Sequence, residues 1–114
     1  MNKKTKIHHP DTHYRVMNQI HKHPDASQRE LAKQAGISLG STHYCLKALI
    51  NKGWVKAGNF KNNPDKSMYL YLLTPEGVTQ KSKLAIDFLK RKRQEFHQLK
   101  REIDNLSEEL HDEA

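Results

Sequence analysis

The feature that most constrains the fold is a pair of helices whose ends are marked between Ser27 and Gly53. Ser27 and Glu30 have the spacing of a capping box, in which a hydroxyl and a carboxylate satisfy the free amides of a first helical turn. Gly36 ends this helix because glycine readily adopts positive φ, and Ser38 caps a second helix that continues to Gly53. The segment is therefore predicted to fold as a helix, a short turn and a second helix.

A further helix precedes this pair. Apolar residues from Tyr14 to Ile20 recur at helical spacing until Pro24 stops the run. Asp11 or Thr12 can cap the first turn. The chain is therefore predicted to place three helices before any strand.

Two segments rich in aromatic and branched residues, 54–60 and 67–73, are predicted to form a β-hairpin after the helices. The charged, turn-forming residues 61–66 between them are expected to project as a loop. The second segment is apolar on both faces: Met68, Leu70 and Leu72 share one face, and Tyr69, Tyr71 and Leu73 share the other. Alternation therefore leaves open which face packs inward.

A long helix is predicted to begin at Thr74-Pro75-Glu76, where Thr is the cap and Pro takes the first helical position. Lys92 is the one polar interruption in its seam of apolar residues, which recur mostly three or four apart: Leu89, Phe96, Leu99, Ile103, Leu106 and Leu110. A single helix cannot bury such a seam, so these residues are predicted to form a dimer interface. Glu95 facing Lys100 of a partner weakly favours a parallel pair, and the orientation stays open.

The charge is distributed unevenly between the predicted parts, which are a flexible arm (1–10), a head with a hairpin (11–74) and the long helix (75–114). Residues 1–74 hold 12 Lys and Arg against 4 Asp and Glu, a net +8, whereas residues 75–114 hold 8 against 9, a net −1. The predicted helices and the single hairpin make the expected fold class mainly α with a small β-hairpin. The basic head suits a polyanion, although a merely solubilising basic surface explains the charge equally well.

Several classes of function are not expected. Cys45, the single cysteine, cannot form an intrachain disulfide, and its place on the inner side of its helix suggests a small apolar filler with a raised pKa. No apolar run is long enough to span a bilayer, so the protein is expected to be cytoplasmic. The sequence contains no phosphate loop, HExxH or nucleophile elbow, which predicts a protein that is not an enzyme and needs no cofactor.

The histidines do not form a recognisable metal site. His8 and His9 lie on the predicted arm, and His21 and His23 lie at a helix end, where a partly cationic imidazole meets the helix dipole. No spacing matches a closed zinc site. No bound metal is predicted, and a metal-responsive sensor remains an alternative.

The order helix, helix, turn, helix, hairpin is that of a winged helix-turn-helix, whose third helix enters the major groove of DNA. Leu39, Thr42, Leu46, Leu49 and Ile50 form the apolar side of this helix, and the first four are taken as buried. The candidate DNA contacts on it are Ser38, Gly40, Ser41, His43, Tyr44 and Lys47. Further contacts are expected from Gln28 and Arg29 at the start of the second helix and from Lys61, Asn62, Asn63 and Lys66 in the hairpin loop.

The chain resembles the MarR family of bacterial regulators over about residues 12–81. The resemblance rests on SQRELA at 27–32, GIS at 36–38, LKALINKGWV at 46–55 and LTPEG at 73–77. The whole chain is most similar to the short MarR-type regulators associated with exopolysaccharide gene clusters. The resemblance implies a homodimer that binds a pseudo-palindromic operator.

Two departures from the family matter for the site. The wing of MarR regulators usually carries Asp, any residue, then Arg, whereas Asp65 and Lys66 are followed here by Ser67, so Lys66 or Lys61 must take the place of the Arg. Little sequence precedes the first helix, so dimerisation is expected to rest on residues 78–110, and an effector pocket stays uncertain. The alternative to DNA binding is an adaptor that recruits a partner protein through the coiled coil.

Overall fold

The computed structural model describes residues 10–59 and 69–112. Within these residues the predicted order of elements is confirmed: α1 (Pro10–Lys22), α2 (Gln28–Ala35), α3 (Leu39–Asn51), β1 (Val55–Asn59), β2 (Tyr69–Leu73) and α4 (Pro75–Asp112). The fold is mainly α, with one antiparallel hairpin and a long C-terminal helix. Most of the predicted arm, and the hairpin loop with all four of its candidate contacts, lie outside the described residues.

The first helix begins earlier than predicted. Pro10 is its first residue, so Asp11 and Thr12 lie inside the first turn instead of capping it. Proline suits this position because its fixed φ is helical and its missing N–H would have no partner there.

Local caps set the ends of α2 and α3 as predicted. The Ser27 hydroxyl accepts from the Glu30 amide at 3.1 Å, and the Ser27 amide donates to the Glu30 carboxylate at 2.8 Å, which completes the capping box. Gly36 ends α2 with φ of 74°. The Ser38 hydroxyl accepts from the Ser41 amide at 3.0 Å, and Gly53 follows α3 with φ of 79°.

The core lies where α1, α2 and α3 meet under the hairpin. Its largest fully buried side chains are Val16, Met17, Ile20, Leu31, Leu46, Leu49 and Val55. Leu39 was predicted to be buried, and this prediction was wrong: the residue is 39% exposed. The buried residues of α3 run only from Thr42 to Leu49, so Leu39 in the first turn extends beyond the core.

The hairpin resolves the ambiguity of its second strand. Val55 pairs with Leu73 and Ala57 with Tyr71. Tyr71 is buried and Leu73 packs against the core, whereas Leu72 is exposed. The face that carries Tyr71 and Leu73 therefore points inward.

The start of α4 is joined to the end of the head. The Thr74 hydroxyl accepts from the Gly77 amide at 3.0 Å, which confirms Thr74 as the cap, and it donates to the Gly53 carbonyl at 2.6 Å. The Thr74 amide donates to the Trp54 carbonyl at 3.0 Å. These bonds fix the direction in which α4 leaves the hairpin.

A second contact, here called the α1–α4 joint, consists of Asp11, Tyr14, Phe88 and Arg91. The rings of Tyr14 and Phe88 lie 4.8 Å apart between centroids. Arg91 donates through Nε to the Asp11 carboxylate at 2.8 Å and also forms a second bond through its terminal nitrogen. Arg91 belongs to the basic run 90–93, and this contact assigns it a structural partner that the sequence did not suggest. Beyond the joint, residues 93–111 of α4 are exposed.

Candidate nucleic-acid interface

The outer face of α3 is exposed at the surface of the head. Buried Thr42, Cys45, Leu46 and Leu49 hold the opposite face, and the Thr42 hydroxyl donates to the Ser38 carbonyl at 2.9 Å. The exposed residues of α3 on its polar side are Gly40, His43, Tyr44, Lys47 and Asn51. These side chains include hydrogen-bond donors and acceptors and a cation, which is the chemistry that suits base edges and phosphates.

A shallow concavity of about 260 Å³ lies on this face and is lined by Tyr44, Lys47, Ala48 and Asn51. Asn51 lies four residues beyond Lys47, so helical spacing in the sequence already places it on this exposed stripe, although it is not one of the candidate contacts named above. The concavity therefore extends the candidate surface toward the end of α3.

Two predicted contacts at the start of α3 have a local role. The oxygen of Ser38 caps the helix, and Ser41 supplies the amide that it accepts from. Ser41 is also only partly exposed. The Ser38 side chain is therefore engaged in the cap, in which only the backbone amide of Ser41 takes part, whereas His43, Tyr44 and Lys47 are exposed.

The start of α2 lies at the surface of the same head. Arg29 is exposed, and Gln28 is partly buried because its side-chain amide donates to the Tyr71 hydroxyl at 3.0 Å. The capping box satisfies the amides of Ser27 and Glu30, so the amides of Gln28 and Arg29 remain as first-turn donors. Tyr71 is not among the residues predicted from the sequence, since no local pattern separates the two faces of β2.

Cys45 behaves as the sequence suggested. Its side chain is buried, and this burial raises the pKa of the thiol from 9.0 to about 12. The protonated thiol therefore persists in the core at neutral pH.

The apolar seam of α4 is exposed along its length in the single chain. The six predicted dimer residues are between 52 and 66% exposed: Leu89, Phe96, Leu99, Ile103, Leu106 and Leu110. Lys92, which interrupts the seam, places its ammonium 3.1 Å from the Glu95 carboxylate and 5.3 Å from the Phe88 ring centroid. Its charge is therefore accommodated within its own helix.

Residues 10–59 and 69–112 contain no group of three or more His, Cys, Asp or Glu side chains placed to hold a metal ion. His21 and His23 are exposed, and His8 and His9 lie outside the described residues. None of the described helices is both long and apolar enough to cross a membrane.

Three packed helices, a hairpin wing and an outward-facing third helix define this chain as a winged helix-turn-helix protein. A family model described as winged helix-turn-helix DNA-binding matches residues 10–56 and supports this class. No curated protein sequence matches the chain.

Solved structures extend the likeness to MarR-type regulators. The Multiple Antibiotic Resistance Repressor, MarR, is 25% identical with a TM-score of 0.60, over 82% of this chain and 64% of that one. The S. aureus MepR–DNA complex is 15% identical with a TM-score of 0.65, and the match covers 98% of this chain and 83% of that one. Streptococcus pneumoniae FabT in complex with DNA is 20% identical with a TM-score of 0.56, and the match covers 99% of this chain and 82% of that one.

These matches show that the chain has the fold of MarR-type transcription regulators. The chain is shorter than several of them, and it spans 60% of the length of the transcriptional regulator PA4135.

Proposed function

We propose that this protein is a homodimeric transcription regulator that binds duplex DNA sequence-specifically at a pseudo-palindromic operator. The observation that carries the proposal is the outer face of α3, where His43, Tyr44 and Lys47 are exposed on a helix whose other face is buried. A rigid helix with an exposed polar face is the element that winged helix-turn-helix proteins place in the major groove.

Each part of the head has a proposed task. On α3, His43 and Lys47 contact base edges or phosphates, Tyr44 contacts a phosphate or a thymine methyl, and Gly40 permits close approach of the backbone. Gln28 and Arg29 contact a phosphate at the positive end of α2. We assign these tasks to residues 11–74, with the loop residues Lys61, Asn62, Asn63 and Lys66 as backbone or minor-groove contacts.

The helix segment 75–114 is proposed to pair two copies. The exposed seam from Leu89 to Leu110 supports this, because six large apolar side chains in one stripe are costly to leave in water. Two heads on one dimer would bind two half-sites, which explains the proposed symmetry of the operator.

The comparisons support the same proposal. MepR and FabT, which share the fold, were both solved in complex with DNA. The resemblance of the sequence to short regulators of exopolysaccharide clusters, which these solved structures do not address, makes such genes the proposed targets. Mapping of the bound sites in cells tests this assignment, and binding confined to unrelated promoters would contradict it.

DNA binding is tested by selecting duplexes from a random pool and measuring affinity against salt. The logarithm of the binding constant is expected to fall with the logarithm of salt concentration by roughly 0.9 for each neutralised phosphate. Lys47→Ala should weaken binding to the selected duplex by about 1–3 kcal/mol and relax base preference at one position. Lys83→Ala, which removes an exposed lysine from α4, is the matched control. If no duplex binds at any salt concentration, the proposed function is wrong.

Pairing is tested separately by measuring the mass of the protein in solution. Leu99→Glu should convert the dimer to a monomer, because it buries two carboxylates in the seam. Gln98→Glu adds the same charge one residue away from the seam and should leave the dimer intact. A dimer that survives Leu99→Glu would contradict the assignment of α4.

A further inference from the structure

A hydrogen bond ties the second strand of the hairpin to the first turn of α2. The Gln28 side-chain amide donates to the Tyr71 hydroxyl oxygen at 3.0 Å. Tyr71 is 6% exposed, and its backbone amide donates to the Pro24 carbonyl at 3.3 Å. Since burial and a backbone bond both fix Tyr71, its hydroxyl is a rigid acceptor for a side chain at the surface of the head.

Gln28 is the first residue of α2, beside the backbone amides that the capping box leaves available. A glutamine amide has two hydrogens, and Tyr71 accepts one of them. The second hydrogen and the amides of Gln28 and Arg29 can donate to a single phosphate group at the positive end of the helix. A glutamine that is already ordered loses less conformational entropy on binding than a mobile one.

We propose that Tyr71 is a positioning residue of the DNA interface, which holds the Gln28 side chain in the orientation that contacts a DNA phosphate. This inference rests on the proposed function, because it assumes that α2 faces a duplex. Tyr71 itself does not touch DNA. It acts by linking the wing, through β2, to the phosphate contact of α2.

A double-mutant cycle tests the inference with full-length protein and a duplex selected by the wild type. Tyr71→Phe keeps the buried ring and removes the acceptor, and it should weaken binding about three- to ten-fold, the effect of one lost hydrogen bond. Gln28→Ala should weaken binding at least as much. Because the two residues act through one contact, Tyr71→Phe should have no further effect in the Gln28→Ala background.

Two further variants separate positioning from stability. Gln28→Asn keeps an amide at the helix start but is too short to reach the hydroxyl, so it should match Tyr71→Phe without disturbing the core. Ser82→Ala removes a hydroxyl from an exposed position of α4, away from the proposed DNA contacts, and should bind as the wild type does.

The inference is overturned if Tyr71→Phe binds DNA with wild-type affinity. It is also overturned if Tyr71→Phe lowers DNA affinity equally in the wild-type and Gln28→Ala backgrounds. Wild-type affinity of Gln28→Asn would overturn it as well. Failure of the wild type to bind any duplex would instead reject the proposed function, so the two failures are distinguishable.

Discussion

At the scale of single residues, two glycines on helices have opposite surroundings. A Cβ at Gly77 would lie 2.1 Å from the Trp54 carbonyl oxygen, whereas a Cβ at Gly40 would have no atom within 4 Å. We expect Gly77→Ala to lower the free energy of unfolding by about 1–3 kcal/mol, because backbone would have to move. Gly40→Ala should raise it by up to about 1 kcal/mol through helix propensity. Urea unfolding measures both changes.

The same Gly40→Ala variant tests the interface. If α3 approaches DNA closely at Gly40, the variant should bind the selected duplex more weakly although it is more stable. Equal or stronger binding would show that the backbone at Gly40 does not approach the groove.

Burial of Cys45 predicts how slowly its thiol reacts in the folded protein and how the free energy of unfolding depends on pH. The folded thiol has a pKa of about 12 against an ordinary value of 9.0, so it should resist a thiol reagent at pH 8 until the protein unfolds. The unfolded thiol ionises first as the pH rises. The stability associated with Cys45 is therefore present below about pH 9 and is lost between about pH 9 and 12. Cys45→Ala should lack this part of the decline in unfolding free energy.

At the scale of elements, the charges beside the α4 seam favour one orientation of the pair. With Phe96 and Ile103 at the first heptad position, one flank carries Arg93 and Lys100, and the other carries Glu95, Glu102 and Glu109. In a parallel pair each flank faces the opposite flank of its partner, so opposite charges meet. An antiparallel pair would place each flank against the same flank of the partner helix, so like charges would meet.

Spin labels at position 111 measure this orientation. The two labels of a parallel dimer should lie within roughly 20 Å, since paired helix axes are about 8–10 Å apart. An antiparallel pair centred near Leu99 would separate them by about 40 Å, given a rise of 1.5 Å per residue. Labels at Gln98 should be close in both arrangements and serve as the control. The longer distance at 111 would contradict the parallel arrangement.

At the scale of the whole molecule, the α1–α4 joint connects the head to the pairing helix. Arg91 and Asp11 are partly exposed, so their ion pair is expected to contribute less than about 1 kcal/mol to stability. Its proposed effect is geometric, because the angle between head and helix sets the distance between two recognition helices in a dimer.

Arg91→Ala should therefore relax the preference for one half-site spacing while affinity for a single half-site stays unchanged. Affinities for operators whose half-sites are moved apart by one to three base pairs measure this effect. Lys90→Ala, which removes an exposed neighbouring charge, is the control. A spacing preference as sharp as that of the wild type would show that the Thr74 cap alone fixes the direction of α4.

The sequence by itself determined the ends of α2 and α3 and the start of α4, but not the start of α1 at Pro10. Ser27 and Glu30 lie three residues apart, as do Ser38 and Ser41, so their capping bonds depend on local geometry that a short segment contains. The candidate contacts on α3 followed from the same local periodicity. Burial of Leu39 was predicted wrongly because periodicity defines a face but not how far along it a neighbouring helix extends.

Only the tertiary structure decided how the parts are joined. Gln28 meets Tyr71 across 43 positions of the chain, and Asp11 meets Arg91 across 80. The inward face of β2 was also undetermined until Tyr71 and Leu73 packed against the helices, because both faces of the strand are apolar. Contacts between distant residues depend on the relative placement of whole elements, and no spacing within the sequence encodes that placement locally.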